Sequence, residues 1–418
     1  MEVCMVLEGE FPPDARVRKE AAALLEAGHD VRVLTEGAES GAESFGGDGS
    51  EPERRTVDDV EVVRFTPADG STRERLSRNY RAIVHGTYPR WDRRVRRAVE
   101  NGADVVHVHD LRLARTALRA AGDCPTVLDL HENFPEAVMQ YRRRDTLAET
   151  VTSTTKVARR MFRPKRHWDR RLRSALESAD ETLAVVPEAR DAYLSAGADS
   201  ESVTVVSNTV DTEWFDANRA AHPVPDTDGF VLTYAGTLSG DHRGVDTAIR
   251  SLVPLQELVP DARLRIVGGR SKIMARLQRL CADLGVESEV EFTGWVDEAT
   301  FPSQMAAADV GLVPHRANPH TDTTVPHKLF QYMAAGLPVV ATETTAVARC
   351  VRDADAGIVV PPEDPEAMAE AAASLADPET AERRGRNARR AAESTYNWER
   401  DAERLRSVYA DLGAAVAR

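Results

Sequence analysis

Short apolar runs alternate with amphipathic stretches along most of the chain, the rhythm of an α/β protein. Residues 3–7 (Val-Cys-Met-Val-Leu) read as a buried strand. A loop through Pro12-Pro13 follows, then a helix over about 15–28, capped by Asp14 and stopped by Gly28. Residues 31–34 are a second strand, so the chain opens as half of a doubly wound sheet. Residues 37–55 are rich in Gly, Ser and Glu and predict a flexible loop. Residues 58–65 alternate as a hairpin, and 73–100 read as an Arg-rich helix. Strands at 104–110 and 126–132 both run into polar groups, which places His109, Asp110, His131 and Glu132 along one rim of the sheet. In a doubly wound sheet ligands approach such a rim. Strands at 181–186 and 203–206 complete the half.

The pattern then restarts. Residues 230–234 are a strand, followed by a Gly-punctuated loop (235–244) and a helix from about 245. Strands are expected at 264–267, 290–296, 310–313 and 357–360, and helices at 366–375, 382–394 and from 398 to about 412. Residues 326–342 carry the clearest signal. Leu329, Phe330 and Met333 form one apolar helical face, Gly336 stops the helix, and Val339-Val340-Ala341 is a strand apolar enough to be covered on both sides. Pro326 suits the first helical position. A helix opening from a loop offers free N–H groups and a positive dipole end, a ready phosphate site. Arg243, between Gly240 and Gly244, and Lys328 add cationic side chains. No Gly-x-Gly-x-x-Gly is present, so a dinucleotide fingerprint is not supported.

The segment Lys328-Leu329-Phe330-Gln331-Tyr332-Met333-Ala334-Ala335-Gly336-Leu337-Pro338-Val339-Val340-Ala341 resembles the C-terminal signature of retaining GT-B glycosyltransferases of family 4. Further segments follow in the family's order. They are Asp14-x-Arg16-Val17-x-Lys19-Glu20, Asp129-Leu130-His131-Glu132, Ser207-Asn208-Thr209-Val210-Asp211, the loop 235–244, Gly268-Gly269 and Thr293-Gly294-Trp295-Val296. Where the family carries Glu-x7-Glu, this chain has Thr323 and Gln331. The resemblance implies two Rossmann-like domains facing a cleft. The acceptor side is 1–210, the linker 211–229, the nucleotide-sugar side 230–395, and 396–418 is a helix packing back on the first domain. It implies catalytic roles for His131, Arg243 and Lys328. Donor contacts would come from Gly236, Thr237, Arg243, Gly268, Trp295, Val296, Thr323, Lys328, Leu329 and Gln331. Acceptor contacts would come from Asp14, Arg16, His109 and Glu132. The implied reaction moves a sugar from a nucleotide-diphosphate sugar to a glycan, polyprenyl-linked or lipid acceptor. An epimerase of the same architecture and a non-catalytic sugar- or lipid-binding relative are the alternatives.

Composition narrows this further. The 418 residues suit two or three domains, and a net charge of -14 argues against nucleic acid as a partner. The cations are nearly all Arg, with only Lys19, Lys156, Lys165, Lys272 and Lys328 as lysines, an acidic, Lys-poor balance of halophilic character. Arg159, Arg163, Arg166, Arg170 and Arg173 fall on one helical stripe with Pro164 as a kink, a surface suited to an anionic membrane. The four cysteines show no Cys-x-x-Cys spacing, and no ligand set has metal spacing, so neither metal nor cofactor is expected. Asp353-Ala354-Asp355 resembles an Asp-x-Asp motif but sits in a loop away from the phosphate segments. Without a membrane span or signal peptide, the expected location is cytoplasmic, with peripheral contact at the inner face of the membrane.

Overall fold

The computed structural model describes residues 1–36, 53–65, 87–143, 164–238, 240–269 and 272–416. The chain divides into two compact units. Unit 1 is Met1–Val206 with Ala402–Arg418, and unit 2 is Ser207–Asp401. Each is an α/β unit built on one largely or wholly parallel sheet.

Among the described residues, unit 1 has eight strands: β1 (Glu2–Leu7), β2 (Asp30–Glu36), β3 (Glu53–Val57), β4 (Val60–Phe65), β5 (Val105–His109), β6 (Thr126–Leu130), β7 (Glu181–Ala184) and β8 (Val203–Val205). They lie in the order β3-β4-β2-β1-β5-β6-β7-β8, all parallel except β3 against β4. β1 is wholly internal: Val3, Cys4, Met5 and Val6 are all 0% exposed. Connections leave β1 on one side and β5 on the other, so the sheet's switch point lies between their carboxyl ends.

Unit 2 has six strands among the described residues: β9 (Phe230–Ala235), β10 (Ala262–Val267), β11 (Val290–Gly294), β12 (Val310–Val313), β13 (Val339–Thr342) and β14 (Gly357–Val360). The order β11-β10-β9-β12-β13-β14 puts the switch point between β9 and β12. The helix His327–Ala335 buries Leu329, Phe330 and Met333 and ends at Gly336, whose φ of 72° is the left-handed cap expected there.

Several sequence expectations change. The hairpin begins at Glu53, inside the stretch read as loop, with Asp58 and Asp59 as its turn at φ 49° and 64°. Glu53, Arg54 and Arg55 mask β3 in the sequence, because charge is how an edge strand is kept from pairing further. The rest of that loop, 37–52, lies outside the described residues, as do 73–86 of the Arg-rich stretch, whose described part is the helix Pro89–Glu100. Pro164 does not kink a helix; it caps Lys165–Leu176, while Arg159 and Arg163 fall outside the described residues. Pro326 is likewise the cap residue, one position before the helix. The stretch 211–229, read as a linker, contains the helix Thr212–Ala221, capped by Asp211, and the division falls earlier, after Val206. The C-terminal helix Trp398–Val416 starts in unit 2 and continues into unit 1, where Tyr409 meets His107.

Candidate functional site

Unit 2 gathers cations at its switch point. Lys328, in the first turn of His327–Ala335, is 5% exposed, and its Nζ has no hydrogen-bond partner among the described residues. Nζ lies 3.3 Å from the centroid of the Tyr234 ring, and a Cβ added at Gly236 would stand 3.5 Å from it. Burial, with Arg243 adding to it, holds the Lys328 pKa well below the usual amine range. A buried ammonium without an acceptor is costly, and a bound anion would offset that cost. Tyr332 fixes the helix that carries it. Its hydroxyl accepts from the Ala235 N–H (2.8 Å) and donates to the Thr233 carbonyl (3.2 Å). The ring lies so close to β12 that a Cβ at Gly311 would come within 2.5 Å of it.

Arg243 ends a short turn, Asp241–Arg243. The next residue, Gly244, has φ 62° and presses on β12's exit: a Cβ there would fall 1.7 Å from the Pro314 carbonyl oxygen. Arg316 staples the same loop. Its backbone N–H donates to the His242 carbonyl (2.9 Å), and its guanidinium reaches the Asp241 carbonyl (2.6 Å), Asp246 (2.7 Å) and Glu363 (2.7 Å). Arg243 is therefore held by backbone fit and by one arginine fork.

Unit 1 places a buried ionic network behind the rim formed by β5 and β6. Arg16 is 3% exposed and grips Asp129 with two bonds, Nε to Oδ2 at 2.9 Å and Nη2 to Oδ1 at 2.7 Å. Its Nη1 donates to the Val206 carbonyl (3.0 Å), and Nε lies 3.0 Å from Glu20 Oε1. Asp129 Oδ2 also meets His131 Nε2 at 2.6 Å and His109 Nδ1 at 3.2 Å. Burial alone would raise the Asp129 pKa, but Arg16 and His131 outweigh it and hold the carboxyl well below the usual range. For His131 burial works downward, yet Asp129 and Asp110 raise it to about 10. His131 is thus an imidazolium near neutral pH, a donor at both nitrogens and not a base. With Nε2 committed to Asp129, Nδ1–H is what it presents; Asp110 Oδ2 lies 3.9 Å away, beyond hydrogen-bond range. Asp110 itself is held at φ 66°, an unusual conformation for a non-glycine residue. Glu20, raised by burial against Arg16 to about 7, completes the network.

Glu20, His107, His109 and Asp129 each offer a ligand atom within 4.8 Å of the others, a grouping a metal ion would use. Arg16 argues otherwise. It already occupies both Asp129 oxygens and sets a permanent positive charge beside Glu20. The group is held as an ion-pair network around Arg16, in which the Glu20 oxygens and Nε2 of His107 and His109 have no hydrogen-bond partner among the described residues.

Residues 15–214 match the model described as Glycosyltransferase Family 4, and residues 229–377 match the one described as Glycosyl transferases group 1. The chain belongs with the family 4-type glycosyltransferases. It is 29% identical over 328 residues to a GDP-mannose-dependent alpha-(1-6)-phosphatidylinositol monomannoside mannosyltransferase of Mycolicibacterium smegmatis, covering 71% of this chain and 85% of that protein. A D-inositol 3-phosphate glycosyltransferase of Acidothermus cellulolyticus is 30% identical over 236 residues, 54% of this chain and 51% of its own. Sucrose-phosphate synthase from Thermosynechococcus elongatus superposes with a TM-score of 0.74 at 19% identity, over 99% of this chain and 100% of its own, which establishes the GT-B fold.

The glycosyltransferase brings Lys328, Gly236 and Arg243 together, and Gly268 approaches them: a Cβ there would lie 3.0 Å from the Gly236 carbonyl. Leu329 departs from expectation. Its side chain is in the core and its N–H returns to the Pro326 carbonyl (3.0 Å), so neither is open to a donor. Thr237 is exposed and its carbonyl accepts from the Tyr234 hydroxyl (3.0 Å), while Thr323 turns its hydroxyl to the Pro319 carbonyl (2.9 Å). Gln331 is half-buried, Trp295 is 65% exposed, and Val296 packs partly on the core. On the acceptor side, Asp14 caps its helix by accepting from the Arg16 and Val17 N–H groups. Arg16 and His109 (1% exposed) are enclosed, correcting their reading as direct acceptor contacts, whereas Glu132 stays half-buried at the rim. Sequence reasoning gave no role to Asp129, Glu20, His107, His315 or Arg316. The available signal was charge on an apolar face: Arg16 and Glu20 share the buried side of their helix with Val17 and Leu24.

Proposed function

We propose that this glycosyltransferase moves a hexosyl group from a nucleoside-diphosphate sugar to a lipid-linked or glycan acceptor, with retention at the anomeric carbon and without a divalent metal. Unit 2 takes the donor and unit 1 supplies the acceptor-side residues and His131. The observation that carries the reading is Lys328: a buried ammonium with no acceptor among the described residues, beside Arg243 and a helix start, is what a departing diphosphate needs. As the glycosidic C–O bond breaks, the electron pair leaves with the diphosphate oxygen. Fixed cations stabilise the charge that develops there. Retention is the outcome expected of the family 4 branch. GDP-mannose use by one relative and UDP in the solved complex of Anabaena HepE (TM-score 0.68, 16% identity, covering 98% of this chain and 100% of that one) make GDP and UDP sugars the first donors to try. Calorimetric titration with a set of nucleoside diphosphates tests the donor assignment, and anomeric analysis of the first transfer product tests retention.

Because Lys328 and Arg243 supply the cationic charge, transfer should survive exhaustive EDTA treatment at constant ionic strength. Loss of turnover restored by magnesium or manganese would overturn the electrostatic account. In this reading His131, which lies in unit 1, donates Nδ1–H to a sugar hydroxyl. His131→Ala should therefore cut transfer by about a hundredfold or more while nucleoside diphosphate binding persists. Loss of that binding in a folded variant would show the division of labour to be wrong.

A basic groove of unit 1 supports reading the acceptor as one met at a membrane surface. It measures about 890 Å³ and is lined by Arg115, Arg119, Arg166, Arg170 and Arg171, with no carboxylate among its lining residues. No helix among the described residues is long and apolar enough to cross a membrane. Lipid phosphates suit such a groove. The protein should sediment with phosphatidylglycerol vesicles and not with phosphatidylcholine vesicles. The double substitution Arg166→Glu, Arg170→Glu should abolish that sedimentation at physiological salt; undiminished sedimentation would remove the groove from the account.

A further inference from the structure

We propose that His315 is an additional ligand of the donor's diphosphate, and that unit 2 takes up a proton when a nucleoside diphosphate binds. This rests on the reading of unit 2 as the donor-binding unit. His315 follows Pro314 at the exit of β12, on the switch point where Lys328 and Arg243 stand. It is 5% exposed, and neither ring nitrogen has a hydrogen-bond partner among the described residues. The charged and titratable groups that act on it most strongly are Lys328, Arg243, His242 and His320. His242 and His320 are themselves buried, with ring centroids 5.6 Å apart, and the His242 ring stands 6.4 Å from that of His315. His315 and Lys328, neither with a side-chain hydrogen-bond partner among the described residues, stand with Arg243 and two further imidazoles in a set that a bound anion would complement.

Burial first, and then Lys328 and Arg243, hold His315 well below the ordinary imidazole range. Before ligand arrives the ring is neutral, with one N–H and one bare nitrogen. A phosphate placed among these groups reverses the local sign, because adjacent negative charge favours the imidazolium. The proton comes from solvent and binds the bare ring nitrogen; no covalent bond breaks. Both nitrogens then donate, and the leaving diphosphate departs into a pocket carrying one more positive charge. The sign follows from linkage. A group whose pKa is higher in the complex than in the free protein tightens binding as pH falls through that interval.

The test is calorimetric titration of GDP, and separately UDP, into the full-length protein between pH 7 and 9, where the terminal phosphate stays ionised. Buffers of different ionisation enthalpy report the proton directly. The observed enthalpy should change linearly with buffer ionisation enthalpy, with a slope that signals uptake, and affinity should rise about three- to tenfold from pH 9 to pH 7. His315→Gln keeps an N–H donor but cannot titrate, so it should still bind, with a smaller slope and a flatter pH dependence. A buffer-independent enthalpy in the wild type overturns the proposal. So does a His315→Gln variant with the wild-type slope, which would assign the proton to Lys328. Binding without proton uptake defeats this inference alone, whereas failure of folded wild-type protein to bind either nucleotide defeats the donor assignment as well.

Discussion

Lys328→Met should lower turnover by about two to three decades while leaving the melting temperature no lower than that of the wild type. The two halves of this expectation have one cause. Nζ is buried without an acceptor among the described residues, and the Tyr234 ring, 3.3 Å away, offsets part of that cost. Met fills a similar volume with no charge to desolvate, so the unliganded fold loses nothing and stands to gain. The reaction loses a fixed cation at the leaving group, worth about two to three decades in rate. Turnover and thermal unfolding measured on the same preparation check it. A clear fall in melting temperature would mean that Lys328 serves the fold, and wild-type turnover would remove it from the site.

Asp129→Asn should be the most destabilising conservative change in unit 1. The carboxylate has Arg16 on both oxygens and His131 and His109 on one of them, all enclosed except His131, whose side chain is 20% exposed. Removing its charge leaves Arg16 with Glu20 as its remaining close carboxylate, and breaking such a buried pair typically costs about 3–5 kcal/mol. The same change lowers the His131 pKa, because Asp129 is the first charge that raises it. The pH profile carries the signature. His131 has a folded pKa raised from 6.5 to about 10, so its contribution is fully present below pH 6.5 and is lost as pH rises through 10. Asp129 contributes above the usual carboxylate pKa and is lost only as pH falls through its depressed value. Chemical unfolding of wild type between pH 6 and 10 should show the alkaline decline, and Asp129→Asn should flatten it. An equal slope in both proteins would contradict the Asp129–His131 coupling.

What could be read from the sequence follows a physical division. The helix His327–Ala335 and the strands around it were legible because Leu329, Phe330, Met333 and Val339–Ala341 state their burial in their chemistry. The Gly-bounded loop around Arg243 was legible because glycine marks close backbone approach, here against Pro314. The interior network of unit 1 was not. Arg16 and Glu20, four residues apart on a helix, look like any surface ion pair, and Asp129, 113 residues beyond Arg16, gives no local sign of being its partner. Strand β3 was hidden by its charges, and Pro164 and Pro326 stood one position outside the helices they were assigned to. His315 was passed over because a lone His after a strand says nothing until Lys328 and Arg243 are seen beside it.

The central claim is transfer of a sugar from a nucleoside-diphosphate donor. Its most direct test is incubation of the wild-type protein with a panel of radiolabelled GDP and UDP sugars, with and without a total lipid extract as acceptor. Release of nucleoside diphosphate and label in the lipid phase are scored together. The account predicts that at least one donor gives acceptor-dependent release matched by label in lipid, that EDTA leaves it intact, and that Lys328→Met lowers it by about two to three decades. Folded wild-type protein that releases no nucleoside diphosphate from any donor, with or without acceptor, would contradict it.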